Sequence, residues 1–262
     1  MATPLEDKQA LVCGSSQGIG RACAFALARL GASVTVVARG ETALRQVVAE
    51  MSTGSHQRHH VITADFVDPP SLQAKITSHL EMVGPFQILV NNTGGPAAGP
   101  LLDASTEQLI EGFRKHVLAY QLLVQAVVPG MKETGYGRII NIISTSVVMP
   151  IPGLGVSNTT RGAVANWGRT LAVELAPYGI TVNNILPGYT GTARLTSLLQ
   201  RKADESGVSL EEVERASKRG IPMGRFASPD EIGSVVGFLA SPEASYVTGV
   251  NLPVDGGRTA TQ

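Results

Sequence analysis

The chain has 262 residues, a length that suits one large α/β domain or two small ones. Its 21 basic and 21 acidic residues cancel, and this balance argues against nucleic acid or an anionic membrane as the main partner. Hydrophobic residues make up 43% of the chain, which excludes a disordered protein, and no apolar run approaches the roughly 18 residues of a membrane span.

Apolar runs of strand length alternate with helical patterns along the chain. The predicted strands cover residues 9–13, 33–38, 59–64, 86–91, 138–143, 180–186 and 247–254. The predicted helices cover about residues 19–30, 44–51, 70–82, 105–131, 157–176 and 228–240. Because parallel neighbours need crossover connections, this alternation predicts an α/β fold of the Rossmann type, with helices on both faces of a doubly wound parallel sheet.

No linker or composition break divides the chain, so we predict a single domain over residues 1–262. The segment at about 190–222 is long for a connection, polar and partly helical, and we interpret it as a lid over the substrate. Its apolar side chains indicate a partly apolar substrate; they are Leu195, Leu198, Leu199, Ile221 and, just beyond the segment, Met223.

A glycine-rich turn stands between the first strand and the first helix. Its glycines permit a tight bend and the close approach of a pyrophosphate to the amides of a helix N-terminus. This position in a βαβ unit predicts a dinucleotide site, the alternative being a plain structural turn. The turn consists of Gly14, Ser15, Ser16, Gln17, Gly18, Ile19 and Gly20.

The end of the second strand favours NADP(H) as the cofactor. NAD-selective sites usually place an acid about 20 residues after the glycine turn, where it binds the ribose 2′-hydroxyl. Here Ala38 takes that place and Arg39 follows, and a guanidinium can pair with a 2′-phosphate. Two alternatives stay open: Arg39 is a solvated loop cation, or Glu41 replaces the missing acid.

Further motifs make the chain resemble the short-chain dehydrogenase/reductase family over nearly its whole length. They are the glycine turn, residues 91–94 (Asn-Asn-Thr-Gly), residues 187–192 (Pro-Gly-Tyr-Thr-Gly-Thr), and residues 229–232, 238–241 and 254–257. The resemblance implies the strand order 3-2-1-4-5-6-7. It also implies a cofactor site that includes Asp65, Phe66, Asn91, Thr93, Gly94, Arg161, Pro187, Gly188, Thr190 and Thr192.

The resemblance further implies a homotetramer, formed through the helices at 105–131 and 157–176. Small residues on the second of these helices favour a close approach between copies; they are Ala163, Ala165, Gly168 and Ala172.

The catalytic positions depart from the family pattern. Family members carry a serine, a tyrosine thirteen residues later, a lysine four further on, and an asparagine on the long helix. Ser144 fits the serine, whereas Ser157, Arg161 and His116 stand at the other three places. A serine hydroxyl is a far weaker acid than tyrosine, whose pKa lies near 10, and arginine does not readily release its proton.

We therefore predict that Ser144 and Ser157 hold the substrate oxygen, that Arg161 positions the nicotinamide ribose, and that His116 supplies the proton. The reference pKa of histidine, about 6.5, predicts an ionisation near neutrality. The alternatives are a His116 ring that bonds a backbone carbonyl, and Ser157 and Arg161 as helix cap and structural cation. Tyr189 is the next candidate acid.

Two functions of different class follow from these residues. The first is an NADP(H)-dependent oxidoreductase that reduces a small carbonyl or related unsaturated compound with a non-standard proton donor. The second is a cofactor-binding, catalytically weak protein that acts as a sensor or as a partner subunit.

The two cysteines and the N-terminus favour a reducing, cytoplasmic location. Residues 1–8 contain no apolar signal core. Cys13 and Cys23 are interpreted as buried small hydrophobic residues rather than as a disulfide, a metal site or a nucleophile.

Overall fold

A seven-stranded parallel sheet is the centre of the part of the chain that the computed structural model describes, residues 3–51, 54 and 56–260. Its strand order is β3-β2-β1-β4-β5-β6-β7, which confirms the predicted fold class and order. The strands are β1 (Gln9–Cys13), β2 (Ser33–Ala38), β3 (His60–Thr63), β4 (Ile88–Asn91), β5 (Gly137–Ile142), β6 (Ile180–Pro187) and β7 (Asn251–Val254).

Helices cover both faces of the sheet. Alternate strand residues point to opposite sides, so Leu11 packs into one hydrophobic core and Val12 into the other. The helices are α1 (Gly18–Arg29), α2 (Glu41–Glu50), α3 (Pro69–Val83), α4 (Thr106–Phe113), α5 (Ala119–Thr134), α6 (Gly155–Leu175), α7 (Ala193–Ser206), α8 (Leu210–Arg219) and α9 (Pro229–Ala240). Within the described residues, none is long and apolar enough to cross a membrane.

Serine capping boxes start three of these helices. Ser105 and Ser228 each accept a hydrogen bond from the third helical amide, and the side chain at that position bonds back, as the sequence predicts for α4 and α9. Ser209 caps α8 in the same way.

The helix predicted at 105–131 is wrong as a single regular helix. A π-helical turn, Arg114–Leu118, separates α4 from α5. Within this turn the His116 ring bonds the carbonyl oxygen of Gly112, the acceptor that a regular α-helix would give to the amide of His116. Side-chain insertion of this kind interrupts the normal ladder.

The last strand is shorter than predicted because a turn precedes it. Gly249 has a φ of +75°, which is left-handed backbone, so regular pairing begins at Asn251 rather than at 247. Residues 248–250 still bond β6 irregularly, since Gly249 donates to the carbonyl oxygen of Val182 at 2.8 Å.

The segment predicted as a lid folds into α7 and α8. The two helices pack against each other around Leu195, Leu199, Ala203 and Val213, a small core separate from the two cores of the sheet. Ile221 is buried as well, whereas Met223 is exposed. Leu195 and Leu199 therefore stabilise the lid segment itself, and they also face the cleft beneath it.

Both cysteines are fully buried, as the sequence predicts. Burial raises the pKa of both thiols, that of Cys23 to about 12, because an apolar interior disfavours the thiolate. They act as small core residues.

Three of the four small residues of α6 are buried within the subunit and do not lie on its surface, whereas Ala163 is half-buried. Ala165, Gly168 and Ala172 are buried inside the subunit. Apolar side chains are instead exposed at Ile110 and Leu118, on α4 and the π turn. Self-association stays a prediction that depends on such exposed positions.

Two glycines of α6 should respond oppositely to alanine. A Cβ on Gly168 would lie 2.7 Å from Oδ1 of Asn184, whereas a Cβ on Gly162 meets nothing within 4 Å. We expect Gly168→Ala to lower the free energy of unfolding by about 1–3 kcal/mol through overpacking. Gly162→Ala, the matched control, should raise it by about 0.5–1 kcal/mol because alanine favours the helix. Urea unfolding measures both, and equal effects would contradict this packing of α6.

Candidate active site

A cavity of about 1330 Å³ lies where the strands β1 to β6 end. In α/β sheets, ligands bind outside the carboxyl ends of the strands. Most of the residues predicted for the site line this single cavity. They are Gly14, Ser16, Gln17, Gly18, Ile19, Arg39, Asp65, Phe66, Thr93, Gly94, Ser144, Ser157, Arg161, Pro187, Gly188, Thr190 and Thr192.

The glycine turn is too tightly packed to tolerate side chains. Gly14 has a φ of +58°, and a Cβ on it would lie 2.6 Å from the backbone oxygen of Asn92. A Cβ on Gly20 would lie 2.2 Å from the oxygen of Gly14. The Asn92 amide group donates to the carbonyl oxygens of Cys13 and Gly14, both at 3.2 Å. Asn92, which sequence reasoning did not place in the site, therefore holds the turn in position.

The N-terminus of α1 is open to an anion. Gln17 precedes the helix without a side-chain cap, and no acidic residue occupies the first turn. The first amides of a helix carry partial positive charge and need acceptors, which the capping boxes of α4, α8 and α9 provide internally. The α1 turn, with Thr192 packed 3.2 Å from the Cβ position of Gly18, thus fits a dinucleotide pyrophosphate.

Ser15, Gly20 and Asn91 are buried and do not line the cavity, and their role as cofactor contacts stays a prediction. The buried Ser15 hydroxyl donates to the carbonyl oxygen of Val12 at 3.0 Å and accepts from the amide of Val37 at 2.9 Å, so it ties the turn to β2. These residues shape the site from behind.

Asn91 starts a ladder of buried amides across the sheet. Its side chain donates to Asn141, Asn141 donates to Asn184, and Asn184 donates to Asn251, each at 2.8 Å. The four residues are in register on β4, β5, β6 and β7. Because buried amides need partners, the ladder fixes the relative positions of the strands that carry the site.

Arg39 is exposed at the rim of the cavity, and Lys115 lies half-buried within the same lining. Burial and the nearby charge of Arg39 lower the pKa of Lys115. Glu41, the alternative acid, is held by an exposed ion pair with Arg45 on α2 and does not line the cavity. Sequence reasoning missed Lys115, although this residue directly precedes His116 on the predicted long helix.

Ser144, Ser157 and Arg161 all line the cavity, and Ser157 and Arg161 lie one turn apart on α6. The Ser144 hydroxyl accepts from the amide of Ser146 at 3.0 Å and caps a short 3₁₀ turn. Ser157 lies in the first turn of α6 rather than at its cap, so the alternative of a helix-capping role is wrong.

Arg161 is almost fully buried beside these hydroxyls. Its guanidinium donates to the carbonyl oxygens of Ile142 at 3.0 Å and Thr93 at 3.3 Å. These bonds fix the cation between the loops that follow β4 and β5. Arg161 therefore makes the contacts expected of a structural cation, and it also lines the cavity.

The surroundings of His116 disfavour an ionisation near neutrality, which is the property expected of the proton donor. The ring is fully buried outside the cavity lining. Burial and the charge of Arg161 lower its pKa to about 2. Nδ1 lies 2.8 Å from the carbonyl oxygen of Gly112, so it carries the proton, and Nε2 is left as a buried acceptor with no hydrogen bond. The alternative, a ring that bonds a backbone carbonyl, is confirmed.

Two tyrosines lie near the site and are candidates for the proton donor. Tyr120 is fully buried; its hydroxyl lies 3.2 Å from Oγ1 of Thr93, and burial raises its pKa. Tyr189 lines the cavity, packs on Phe226 and lies under the guanidinium of Arg258. Tyr189 thus remains the reachable phenol.

The lid segment contributes cations that sequence reasoning missed. Arg194, Arg201 and Lys202 of α7 line the cavity. Arg194 donates to the carbonyl oxygen of Pro96 at 2.8 Å, and Arg201 pairs with Glu205 at 2.7 Å. The helical spacing after the Thr192 cap places these residues, but from sequence alone they resemble the solvated face of an amphipathic helix.

This geometry agrees with comparisons to known proteins. A family model described as enoyl-(acyl carrier protein) reductase matches residues 14–259. The chain belongs to the short-chain dehydrogenase/reductase family. It is 34% identical to an uncharacterized oxidoreductase of Mycobacterium tuberculosis over 256 residues, which cover 97% of this chain and 93% of the relative.

Two solved structures of the family are also similar to this chain in fold and in sequence. The L-sorbose reductase of Gluconobacter frateurii, in complex with NADPH and L-sorbose, superposes with a TM-score of 0.92 at 30% identity and full coverage of both chains. A variant of the actinorhodin polyketide ketoreductase with NADPH gives a TM-score of 0.90 at 32% identity over 99% of each chain.

The buried His116 predicts a specific dependence of stability on pH. Its folded-state pKa of about 2 lies below the unfolded value, about 6.5, so its contribution is complete above pH 6.5 and is lost as the pH falls towards 2. Between about pH 7.5 and 5.0 the loss is about 2 kcal/mol. His116→Asn should remove this loss in urea unfolding at the two pH values, and His56→Asn, on the surface, should retain it. An unchanged pH dependence in His116→Asn would contradict the buried neutral ring.

Proposed function

We propose that the protein is an NADP(H)-dependent oxidoreductase that reduces a small carbonyl compound or a related unsaturated compound. One observation carries the proposal. The same cavity is lined by the glycine turn of a dinucleotide site and by Ser144, Ser157 and Arg161, a group that suits a developing oxyanion. Membership of an oxidoreductase family supports it.

The choice of NADP(H) rests on charge at the adenosine end. Ala38, the last residue of β2, takes the place of the acid that NAD-selective proteins carry, and Arg39, which follows it, lines the cavity. Lys115 adds a second cation nearby, and Glu41 is engaged by Arg45. A pair of cations at this end of the cavity favours a 2′-phosphate. Two solved relatives contain NADPH, which agrees with this choice.

Different groups of residues would bind the different parts of the cofactor. The open α1 N-terminus and Thr192 would hold the pyrophosphate, Asp65 and Phe66 would border the adenine, and the Pro187–Gly188 loop would border the nicotinamide. When bound, NADPH supplies a hydride to the electrophilic carbon of the substrate.

Ser144 and Ser157 bind the substrate oxygen, and Arg161 stabilises the negative charge that develops on it. Arg161 suits this role because its charge is permanent and two backbone carbonyls fix its position. The chain lacks tyrosine and lysine at the places where the family pattern has them, and His116 remains neutral. The proton comes from water in the cavity, passed along the Ser157 hydroxyl, and the Tyr189 phenol in the same lining is the second candidate donor. A catalyst of this kind relies on charge stabilisation more than on a strong acid.

The same departures from the catalytic pattern of the family also favour a second function. A site without a strong acid, with a histidine whose pKa is about 2, also suits a cofactor-binding protein with weak activity that acts as a sensor or partner subunit. Substrate turnover separates the two functions.

We expect NADPH to bind at least about tenfold more tightly than NADH, a difference of about 1.4 kcal/mol that one phosphate–arginine pair supplies. Arg39→Ala should abolish most of this preference in equilibrium titrations of nicotinamide fluorescence. Arg29→Ala, an exposed arginine of α1 outside the cavity, is the matched control and should retain it. Equal affinities in the wild type would contradict the assignment of NADP(H).

A panel of ketones, aldehydes and conjugated enones, followed by NADPH absorbance, tests the reaction. Ser144→Ala and Ser157→Ala should each lower kcat on a confirmed substrate by about 10²-fold, the usual cost of removing an oxyanion donor, with NADPH affinity nearly unchanged. Arg161→Ala should impair both properties. Thr170→Ala, exposed on the same helix, is the control. NADPH binding without oxidation by any compound would favour the second function.

A further inference from the structure

Arg194 spans the cavity from the lid to the sheet. It is the second residue of α7, and its Nη2 donates to the carbonyl oxygen of Pro96 on the loop after β4, at 2.8 Å. The guanidinium lies against Gly95, whose Cβ position is 3.6 Å from Nη2. This arrangement holds a rigid planar donor over the cavity, with part of its surface exposed.

The cations of this region lack matching acids. Within the described residues, neither Arg194 nor Arg161 forms an ion pair, since the hydrogen bonds given for both go to backbone carbonyls. The nearby acid, Glu205, is already paired with Arg201. Partial burial, followed by the charges of Arg161 and Arg201, lowers the pKa of Arg194.

The cofactor's phosphates have other partners in the proposed function. The glycine turn and Thr192 face the pyrophosphate, while Arg39 and Lys115 stand at the adenosine end. Arg194 instead lies beside Gly95, on the loop that leads away from Thr93 and Gly94. An anion from the substrate is the remaining source of charge compensation.

We propose that Arg194 binds a carboxylate of the substrate, so that the protein acts on oxo acids rather than on neutral carbonyl compounds. This inference rests on the proposed function and specifies its substrate class. A planar guanidinium fork matches a carboxylate through two parallel hydrogen bonds. The apolar part of the lining, which includes Ile151, Leu154 and Leu198, contacts the carbon chain.

The experiment compares each oxo acid of a short series, with the carbonyl two, three or four carbons along the chain, with its methyl ester. Initial rates of NADPH oxidation give kcat/KM, and calorimetric titration of the NADP⁺-loaded protein gives affinity without turnover. The variants are Arg194→Gln, Arg194→Lys and, as control, Arg219→Gln. Arg219 is exposed on α8 of the same segment and does not line the cavity.

The wild type should prefer at least one acid over its ester by tenfold or more, because hydrogen bonds between charged groups are stronger than neutral ones. Arg194→Gln should lose at least tenfold in kcat/KM and affinity for the acid and less than twofold for the ester. Arg194→Lys should restore part of the loss, and Arg219→Gln should behave as the wild type. NADPH affinity should be unchanged throughout.

Equal handling of acids and esters by the wild type would overturn the inference, as would an Arg194→Gln variant that weakens NADPH as strongly as the acid. The two proposals fail differently. Binding of an acid that depends on Arg194, without any turnover, supports this inference and contradicts the reductase function. Efficient reduction of neutral ketones that is indifferent to Arg194 supports the reductase and contradicts this inference.

Discussion

The close approach of three backbone segments at the end of β1 is the constraint on which the rest of the site depends. A Cβ on Gly20 would clash with the backbone of Gly14, and a Cβ on Gly14 would clash with Asn92. The Asn92 side chain also donates to the carbonyl oxygens of Cys13 and Gly14. This packing places the uncapped N-terminus of α1 at the cavity and ties it to the loop after β4. The same loop carries Thr93, whose carbonyl oxygen holds Arg161. One tight contact thus sets the distance between the phosphate end and the reactive end.

Positive charge is the second organising feature of the cavity. Arg39 and Lys115 lie at one end, and Arg161 and Arg194 lie towards the other, with backbone carbonyls as the described hydrogen-bond partners of the last two. Fixed charges in a partly desolvated cleft interact with anions more strongly than they do in water. They suit a site that stabilises an oxyanion by charge, since serine and arginine are poor proton donors.

The fold was predictable from sequence because its signals are local. Hydrophobic runs, the glycine turn and the serine caps of α4 and α9 each act within a few residues, and the structure places them as expected. Errors arose where a side chain or a turn competes with the regular ladder, as at His116 in the π turn and at Gly249 before β7. Such competition depends on tertiary surroundings that a periodic pattern does not contain.

The site was predictable in part for the same reason. Motif spacing located the cavity lining, but it did not separate residues that face the cavity from those behind it, such as Ser15 and Asn91. Burial also reverses chemistry that composition suggests: a histidine expected to titrate near neutrality has a pKa of about 2 once it is enclosed beside Arg161. Arg194 resembled a surface residue because its contact with Pro96 joins positions 98 apart in the chain.

The central claim is that hydride passes from a reduced nicotinamide to a substrate held by Ser144, Ser157 and Arg161. The most direct measurement uses NADPH with deuterium at both C4 positions of the nicotinamide, with mass spectrometry of the product formed from each carbonyl, enone and oxo acid tested. The account predicts one deuterium per product molecule, in amounts equal to the NADP⁺ formed. Tight binding of NADPH with no deuterium transferred to any compound would contradict it.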